Sequence, residues 1–373
     1  MKKILFNKLF LDVTKFFLLI SLSLSLIIWV VQAVNFLDYI SEDGHGIKTY
    51  FLITALNLPK IFSRIIPFCI FLATFYIINR YETKNELLIF WNIGIKKIRF
   101  INNLIYLSIF FLLIQIVLNA FIVPNSQNLA RDYIRSSNID FFPNLVKEKK
   151  FIDTVSNLTI YVEKKDINGN YKNVYLKDKL DDNKSQIIYA KSGKINNINN
   201  KNYLILNNGK FIDVDEKKIT TFEFKKTEFD LSKYTTKTTT FPKVQELKTK
   251  YLLDCISKLN LDINYYKATE FLVCEKKQEI SIKEEIFKRI FKPLFIPVII
   301  LVACIMVLFN KDYFNYSKIQ YFIFTIGITI IVISEILARW VESNNSFIIF
   351  LIIPLLIFLL NYFFIIKKLK FKS

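Results

Sequence analysis

Long runs of apolar residues alternate with short polar segments along this chain, and one long polar block divides the runs into two groups. The runs cover about residues 16–35, 50–79, 100–123, 293–309, 319–338 and 347–366. Each is about as long as an α-helix that crosses the ~30 Å hydrocarbon core of a bilayer. The pattern therefore predicts six membrane spans, three before the block and three after it.

Prolines modify this pattern in two places. Pro59 and Pro67 fall within the second run and predict either a kinked helix or a surface helix followed by a span. Pro124 follows the third run and predicts its end. The first run is too long for a signal peptide and has no small-residue cleavage site after it, so we expect it to be retained.

The polar block contains short segments of alternating polarity, which are typical of β-strands. The segments are 158–162, 174–176, 187–190, 203–206 and 221–224, and we expect Gly169, Gly193 and Gly209 to fall between them. Several short strands with Asn, Asp and Gly turns favour an antiparallel sandwich or a jelly-roll-like domain. The predicted division is 1–123 for the N-terminal membrane half, 124–290 for the β-rich domain with a helical C-terminal part, and 291–373 for the C-terminal membrane half.

The basic residues of the short loops predict the orientation of the spans. They collect at the N-terminus, in Arg80–Arg99, at Lys311 and Lys318, and in the tail 367–372, all on one side of the predicted bundle. Cytoplasmic loops carry an excess of Lys and Arg. Both termini are therefore expected in the cytoplasm and the β-rich block outside it.

The loop Arg80–Arg99 contains a short amphipathic segment. Glu86 opens it, Leu87, Phe90 and Trp91 follow at helical spacing, and Gly94 stands where a helix C-cap glycine stands. One interpretation is an interfacial helix with Trp91 as an aromatic anchor. The other is a coupling helix that docks into a groove on a cytoplasmic partner.

Composition excludes several other classes of function. Hydrophobic residues make up 53% of the chain and charged residues 22%, which suits a membrane protein with a large aqueous part. The net charge of +19 is dispersed and no nucleic-acid motif accompanies it, so no nucleic-acid partner is expected. The four cysteines have no zinc spacing, although Cys255 and Cys274 could form a disulfide in the block. No catalytic residue, metal or cofactor is predicted.

The order of parts and four local motifs resemble the LptF/LptG permeases of the lipopolysaccharide exporter. The motifs are 29–38 at the end of span one, which is similar to the LptF branch, 79–95 in the first loop, 158–176 in the first hairpin of the block, and 285–294 at the start of span four. The resemblance implies an α-helical polytopic membrane protein with six transmembrane helices in two sets of three. It also implies that the inserted antiparallel β jelly-roll-like domain is periplasmic.

The resemblance further implies a transporter subunit of the bacterial inner membrane that is not itself an enzyme. Its expected partners are a cytoplasmic LptB-like ATPase dimer, a paralogous LptG-like permease, LptC/LptA-like periplasmic bridge proteins and lipopolysaccharide. ATP hydrolysis is expected in the partner, because this chain has no phosphate-binding loop of the P-loop type. Carried over from the family, Glu86 would face the ATPase groove, Leu87, Phe90 and Trp91 would be its apolar contacts, and Gly94 would let the chain turn into span three.

The family's spans one and five border a lipid-sized cavity. Basic residues expected near the outer end of span one are replaced here by Gln32 and Asn35. Glu335 and Arg339 lie four residues apart in span five, where they could contact substrate, form a gate, or neutralise each other at the interface. In the β-domain, Tyr161, Tyr175, Tyr189 and Phe224 are candidates to line a lipid conduit.

Two other functions remain open at the level of the sequence. One is a permease of another ATP-driven envelope system, which transmits force to its outer domain without passing lipid. The other is a membrane-anchored scaffold or sensor whose β-domain binds an envelope partner. An open apolar groove in the β-domain would favour the lipid conduit, and a filled core would favour force transmission.

Overall fold

The computed structural model describes residues 2–37, 47–136, 146, 148–155, 157–166, 169–181, 184–198, 201–215, 218–231, 243–259, 278–339 and 344–370. The chain forms two compact units. The helical unit comprises Met1–Val30, Asn57–Gln127 and Lys243–Ser373, and the sheet unit comprises Val31–Leu56 and Asn128–Pro242.

Six helices among the described residues are long and apolar enough to cross a membrane, which confirms the prediction of six spans. They are Lys2–Asn35, Ile47–Thr83, Lys97–Ile134, Glu279–Leu308, Tyr316–Arg339 and Ile352–Lys370, called spans one to six below. The individual α-helices are Lys2–Asn35, Ile47–Leu56, Leu58–Thr83, Glu86–Asn92, Lys97–Val117, Val123–Ser136, Thr249–Leu259, Glu279–Ile286, Phe295–Cys304, Tyr316–Arg339 and Asn344–Lys370. Two π-helical turns are Leu118–Ile122 and Phe287–Phe291, and three 3-10 turns are Val244–Glu246, Lys292–Leu294 and Ile305–Leu308.

Span four is the centre of the helical unit. All residues of Phe295–Cys304 except Pro297 are buried, and the helix packs against spans two, three, five and six. In a bilayer such packing is stabilised by close van der Waals contact rather than by escape from water, so small residues at helix interfaces matter. Gly327 of span five is one of them, because a Cβ atom there would lie 2.0 Å from the Phe71 ring of span two.

Span two is broken at Asn57. The helix Ile47–Leu56 stops there, and Pro59 lies in the first turn of the helix Leu58–Thr83, where a missing N–H costs no hydrogen bond. Pro67 lies inside that helix. The expected interruption of the second apolar run is therefore observed, and it takes the form of two consecutive helices.

Span three does not end at Pro124, contrary to the prediction. The helix continues to Ser136 after the π-helical turn Leu118–Ile122. Proline in an α-helix lacks one N–H and its ring clashes with the carbonyl four residues earlier, which here is Ala120. The wider π turn accommodates the ring, and the carbonyl oxygen of Ala120 accepts a hydrogen bond from Thr249 Oγ1 at 2.5 Å.

The sheet unit contains one antiparallel sheet of six strands. The strands are β1 Phe151–Val155, β2 Leu158–Lys165, β3 Asn170–Asp181, β4 Lys184–Ile198, β5 Lys201–Asp215 and β6 Lys218–Asp230. They pair in chain order, so the connections among the described strands are those of a meander. The five segments predicted from alternation lie in β2 to β6, which confirms an inserted antiparallel β-region. Strand β1 was not predicted from the sequence.

One face of the sheet carries its apolar core. Leu158, Ile160 and Val162 of β2 are buried together with Leu176 of β3 and Ile188 of β4. Gly193 and Gly209 do not lie between strands as expected, because they belong to β4 and β5. Of these three glycines, Gly169, with φ +75°, lies in a turn between strands.

Gly209→Ala is expected to destabilise the sheet by about 2–3 kcal/mol, because the space beside Gly209 has no room for an added atom. A Cβ atom would lie 2.3 Å from the backbone oxygen of Tyr189 and 2.4 Å from the Phe224 ring. Gly193→Ala is the matched control, since the nearest atoms to its Cβ would be in the side chains of Leu206 and Val174, at 3.0 and 3.3 Å, and the nearest backbone atom, Ile205 O, would lie at 3.5 Å. Amide hydrogen exchange of β4 to β6 in the full chain measures the difference, and equal protection in both variants would contradict it.

The cysteines of the described residues are in two states. Cys69 and Cys304 are free and buried within spans, where they pack among apolar side chains. Cys255 is disulfide-bonded, so it is not a free thiol. Cys274, named from the sequence as one possible partner, lies outside the described residues.

Candidate functional site

A short helix in the loop between spans two and three is held tightly by its own chain. It runs from Glu86 to Asn92, and its side chains Leu87 and Phe90 are each only 2% exposed. The Phe90 ring meets the Phe6 and Phe100 rings edge-on, with centroids 5.8 and 5.2 Å apart. These contacts hold the helix against the first turns of spans one and three.

The end of this helix is the glycine cap that its sequence predicts. Gly94 has φ +75°, where an L-residue is strained, and its N–H donates to Trp91 O at 2.9 Å. The N–H of Ile95 donates to Phe90 O at 3.0 Å. This pair of hydrogen bonds is a Schellman motif, which explains the requirement for glycine at this position.

Two apolar side chains of the same helix point away from the unit. Leu88 is 50% exposed and Ile89 is 49% exposed. The side chains selected by helical spacing are instead turned inward, because Leu87 and Phe90 are buried and Trp91 is half-buried against Phe100. The expectation that Leu87 and Phe90 contact a partner is therefore corrected: in this structure the apolar surface offered by the helix is the pair Leu88 and Ile89.

Glu86 links the helix to span one, and the neighbouring ends of spans two and three contact the end of span four and the loop after it. Lys8 Nζ lies 3.2 Å from Glu86 Oε2. Glu82 Oε1 accepts a hydrogen bond from the N–H of Lys311 at 2.9 Å, and Lys97 Nζ donates to Val307 O at 3.0 Å. The ends of spans two and three, on either side of this helix, are thus bonded to the end of span four and to the loop that follows it.

A polar cavity of about 370 Å³ lies at the opposite ends of the spans of the helical unit. Spans two to five supply nearly all of its wall, and Gln245 completes it. Its charged lining residues are Lys60, Arg64, Glu285, Lys288, Arg289, Lys292, Glu335 and Arg339. With six basic and two acidic side chains, the cavity carries an excess of positive charge.

The ion pairs of this cavity cross between helices or run along span four. Lys292 pairs with Glu335, and Arg289 Nε lies 2.9 Å from Glu285 Oε1. Glu335 is therefore not neutralised by Arg339, and the self-paired interpretation of span five is wrong. Within the described residues, neither Arg64 nor Arg339 is paired with a carboxylate, so both leave positive charge at the cavity.

One polar atom in the cavity wall has no partner within the described part of the chain. Gln115 is 3% exposed, and its Nε2 donates to Ser63 O at 2.6 Å. Its Oε1 is left without a donor. A buried acceptor of this kind is stabilised by a donor that enters the cavity, either a water molecule or a ligand hydroxyl or amine.

The sheet brings three of the four candidate lining residues into one row. Tyr161 pairs with Tyr175 across β2 and β3, and Tyr175 pairs with Tyr189 across β3 and β4. This row lies on the face opposite the core row Ile160, Leu176 and Ile188, since neighbouring residues of a strand point to opposite faces. Phe224 alone lies on the core side, with its ring 4.8 Å from that of Phe211.

The tyrosine row ends in an exposed ion pair. Lys210 of β5 follows Tyr189 in the register and pairs with Glu223 of β6 at 2.9 Å. Their hydrogen bond and mutual attraction raise the pKa of Lys210 and lower the pKa of Glu223. The face that carries the tyrosines is therefore partly polar, unlike the core face.

Gln32 and Asn35 lie on the last turn of span one, in the sheet unit, where Gln32 is half-buried and Asn35 is exposed.

The protein family described as lipopolysaccharide export system permease LptF/LptG matches residues 9–368 of this chain. The chain belongs to the LptF/LptG family. The family is described as the permease of a lipopolysaccharide export system, and the six long apolar helices of this chain suit a multi-pass membrane protein.

A further relative of this LptF/LptG-family chain is the uncharacterized protein RP871 of Rickettsia prowazekii (strain Madrid E). The two sequences are 23% identical over 208 residues. The aligned part is 55% of this chain and 57% of the relative, so the chain spans little more than half the relative's length. The family match covers both the LptF and the LptG branch.

Two places among the described residues offer groups that could bind a partner or a ligand. The helix Glu86–Asn92 exposes two apolar side chains, and the basic cavity holds polar and charged groups without a partner in the part of the chain that the structure describes. The sequence alone indicated the helix, but of the cavity it indicated only Glu335 and Arg339. The basic residues Lys60, Arg64 and Lys292 were visible in the sequence as charges inside or beside apolar runs, a signal that marks functional positions in membrane proteins.

Proposed function

We propose that this permease is one subunit of an ATP-driven exporter that extracts lipopolysaccharide from the inner membrane and passes it to a periplasmic bridge. The observation that carries the proposal is the helix Glu86–Asn92, which is anchored by Leu87 and Phe90 and offers Leu88 and Ile89 outward. An anchored helix with two exposed apolar residues suits docking into a groove of a cytoplasmic ATPase.

In this mechanism the helix receives the motion of the ATPase and the chain carries it to the spans. Leu88 and Ile89 enter the groove, and Glu86 supplies a charge at its edge. The Schellman cap at Gly94 and the edge-on contacts of Phe90 prevent the helix from turning on its own axis. The hydrogen bond between Glu82 and Lys311 then passes the displacement on towards spans four and five.

The substrate end of the mechanism is the basic cavity. Lipopolysaccharide carries phosphate groups, and Arg64 and Arg339 hold charges that no carboxylate within the described residues neutralises. Arginine binds phosphate with paired N–H donors and is well suited to this task. A cavity with an excess of positive charge favours a permease that binds an anionic lipid over one that only transmits force. Gln32 and Asn35 are proposed as neutral contacts at the end of span one.

The orientation follows from the loop charges. The N-terminus, the loop with Glu86 and the loop with Lys311 are proposed to face the cytoplasm, because the positive charge of the short loops is concentrated there. The basic cavity then lies at the periplasmic ends of the spans, at the depth of the lipid headgroups of the outer leaflet. The sheet unit is periplasmic.

The remaining partners are proposed from the family and from the sheet. A paralogous LptG-like permease completes the membrane part, since the span-one motif of this chain is similar to the LptF branch. Among the described strands, β6 pairs on one side only and exposes Ile219 and Phe222. An edge of this kind is able to pair with a strand of a bridge protein. The core face with Phe211 and Phe224 is the proposed surface for the acyl chains.

Purification of the tagged chain from its native membrane in mild detergent tests the proposed assembly. We expect two copies of a small ATPase and one copy of a second six-span permease for each copy of this chain, measured by native mass spectrometry. Recovery of this chain alone, or as a homodimer without an ATPase, would contradict the proposal and favour a scaffold.

A further inference from the structure

Arg289 is a buried cation at the start of span four that joins this span to a second stretch of chain. It is 2% exposed. Its Nε lies 2.9 Å from Glu285 Oε1, and its Nη2 donates to Gln245 O at 2.9 Å. Its Nη1 donates to Leu247 O at 2.8 Å and to Thr249 Oγ1 at 2.9 Å. These five residues are called the Arg289 clasp.

The clasp extends to span three through Thr249. The hydroxyl of Thr249 accepts from Arg289 and donates to Ala120 O at 2.5 Å. This carbonyl lies four residues before Pro124, which cannot supply the N–H that an α-helix would provide there. The hydroxyl of Thr249 therefore supplies the hydrogen-bond donor that Pro124 lacks.

Spans three and four have the same local irregularity at this level. The π turn Leu118–Ile122 stands two residues before Pro124, and the π turn Phe287–Phe291 stands two residues before Pro293. The two turns contact each other, and Asn119 Nδ2 donates to Lys288 O at 3.4 Å. Single π turns within α-helices occur frequently at functional sites.

The segment Lys243–Thr249 follows the sheet unit in the sequence and leads to span four. The Arg289 clasp fixes the backbone of this segment at Gln245 and Leu247, and its side chain at Thr249. Only arginine fits, because its rigid fork supplies donors to four acceptors at once, whereas a lysine ammonium supplies three. Burying a charge costs several kcal/mol per ion, and an apolar replacement is often as stable, so stability alone does not account for the arginine.

We propose that Arg289 is a positioning residue for transport. It bonds the segment Lys243–Thr249 to span four directly and to span three through Thr249. A displacement of span four therefore moves this segment as well. The proposal rests on the proposed function, in which ATP drives the movement of the spans. Arg289 acts here through the backbone of Lys243–Thr249 and does not itself need to touch lipid.

The test compares variants within the assembled, purified complex in proteoliposomes. Arg289→Gln removes the charge and most of the fork, and Arg289→Lys keeps the charge but not the fork. Thr249→Val removes the link to span three together with one of the four acceptors of Arg289. Lys250→Gln is the matched control, because Lys250 is exposed and adjacent to Thr249. Two quantities are measured: amide hydrogen exchange of residues 243–249, and lipopolysaccharide released to a soluble acceptor per ATP hydrolysed.

We expect Arg289→Gln and Arg289→Lys to speed exchange in this segment at least tenfold and to lower release per ATP at least tenfold, with ATP hydrolysis within twofold of the wild type. Thr249→Val, which keeps Arg289 and is the milder change, is expected to lower release per ATP about threefold. Lys250→Gln should change neither quantity.

Two results would overturn the inference and one would overturn its premise. Faster exchange with unchanged release per ATP in Arg289→Gln or Thr249→Val would show a structural brace without a role in transport. Full release per ATP in Arg289→Lys would show that charge rather than the fork is what matters. A wild-type complex that releases no lipopolysaccharide on ATP hydrolysis would overturn the proposed function, which is seen before any substitution is made.

Discussion

Leu88→Asp and Ile89→Asp are each expected to lower the affinity of the permease for its ATPase at least about 100-fold, because an unpaired carboxylate is driven into an apolar groove. Each 1.4 kcal/mol of lost binding energy is a factor of about ten in affinity. Both side chains are half exposed in the permease alone, so the substitutions leave its fold intact. Copurification and a binding titration with the isolated ATPase measure the loss.

Phe90→Ala is the informative contrast to these two variants. Phe90 is 2% exposed and packs against the Phe6 and Phe100 rings, so its loss leaves a cavity and lowers the thermal stability of the permease. Leu88→Met keeps the apolar volume and should retain nearly full affinity. If Leu88→Asp and Ile89→Asp both bound the ATPase normally, docking through the exposed pair would be wrong.

Reversal of the two unpaired charges at the cavity, Arg64→Glu with Arg339→Glu, is expected to lower capture of lipopolysaccharide at least tenfold. Two charges about 4 Å apart interact by about 4 kcal/mol at an effective dielectric constant of about 20, so replacing attraction by repulsion at two positions has a large effect. Photo-crosslinking of lipopolysaccharide to the permease in proteoliposomes measures capture. The neutral pair Arg64→Gln with Arg339→Gln should fall between the wild type and the reversal.

A charge-matched control separates this effect from a change in net charge. Lys177 and Lys225 are exposed residues of the sheet, and their double reversal to Glu changes the net charge of the chain equally. It should leave capture within twofold of the wild type. ATPase binding should be unchanged in all of these variants, and undiminished capture in the Arg64→Glu, Arg339→Glu variant would remove the cavity from the substrate path.

The spans and most strands could be predicted because each depends on a local property of the sequence. A run such as Phe100–Val123 has the length and hydropathy of a span whatever surrounds it. The alternation at Leu158–Val162 likewise indicates a strand with one buried face. Gly94 was predictable as a cap because only a residue without Cβ adopts its positive φ at no cost.

Which face of a helix or strand is buried could not be predicted from the spacing of its apolar residues. Helical spacing groups Leu87 with Phe90, but only the fold shows that this side faces Phe100 and that Leu88 and Ile89 face outward. Strand alternation likewise groups Tyr161 with the other tyrosines and leaves open which face of the sheet holds the core. The two cases have one cause, since periodicity defines a face and tertiary packing decides its environment.

Long-range pairing explains the other differences. Glu335 and Arg339 have the spacing of a helical ion pair, yet Glu335 pairs with Lys292 of another span. Pro124 predicts a helix end, yet the π turn before it and the hydroxyl of Thr249 allow the helix to continue. In both cases the decisive partner lies far away in the sequence, where spacing arguments do not reach.

ATP-dependent transfer of lipopolysaccharide from proteoliposomes to a soluble acceptor tests the central claim most directly. The complex is reconstituted with wild-type permease or with Leu88→Asp, and the transferred lipid is counted per ATP hydrolysed. The account predicts transfer that requires ATP and is lost in Leu88→Asp. Transfer without ATP, or equal transfer by the two complexes, would contradict it.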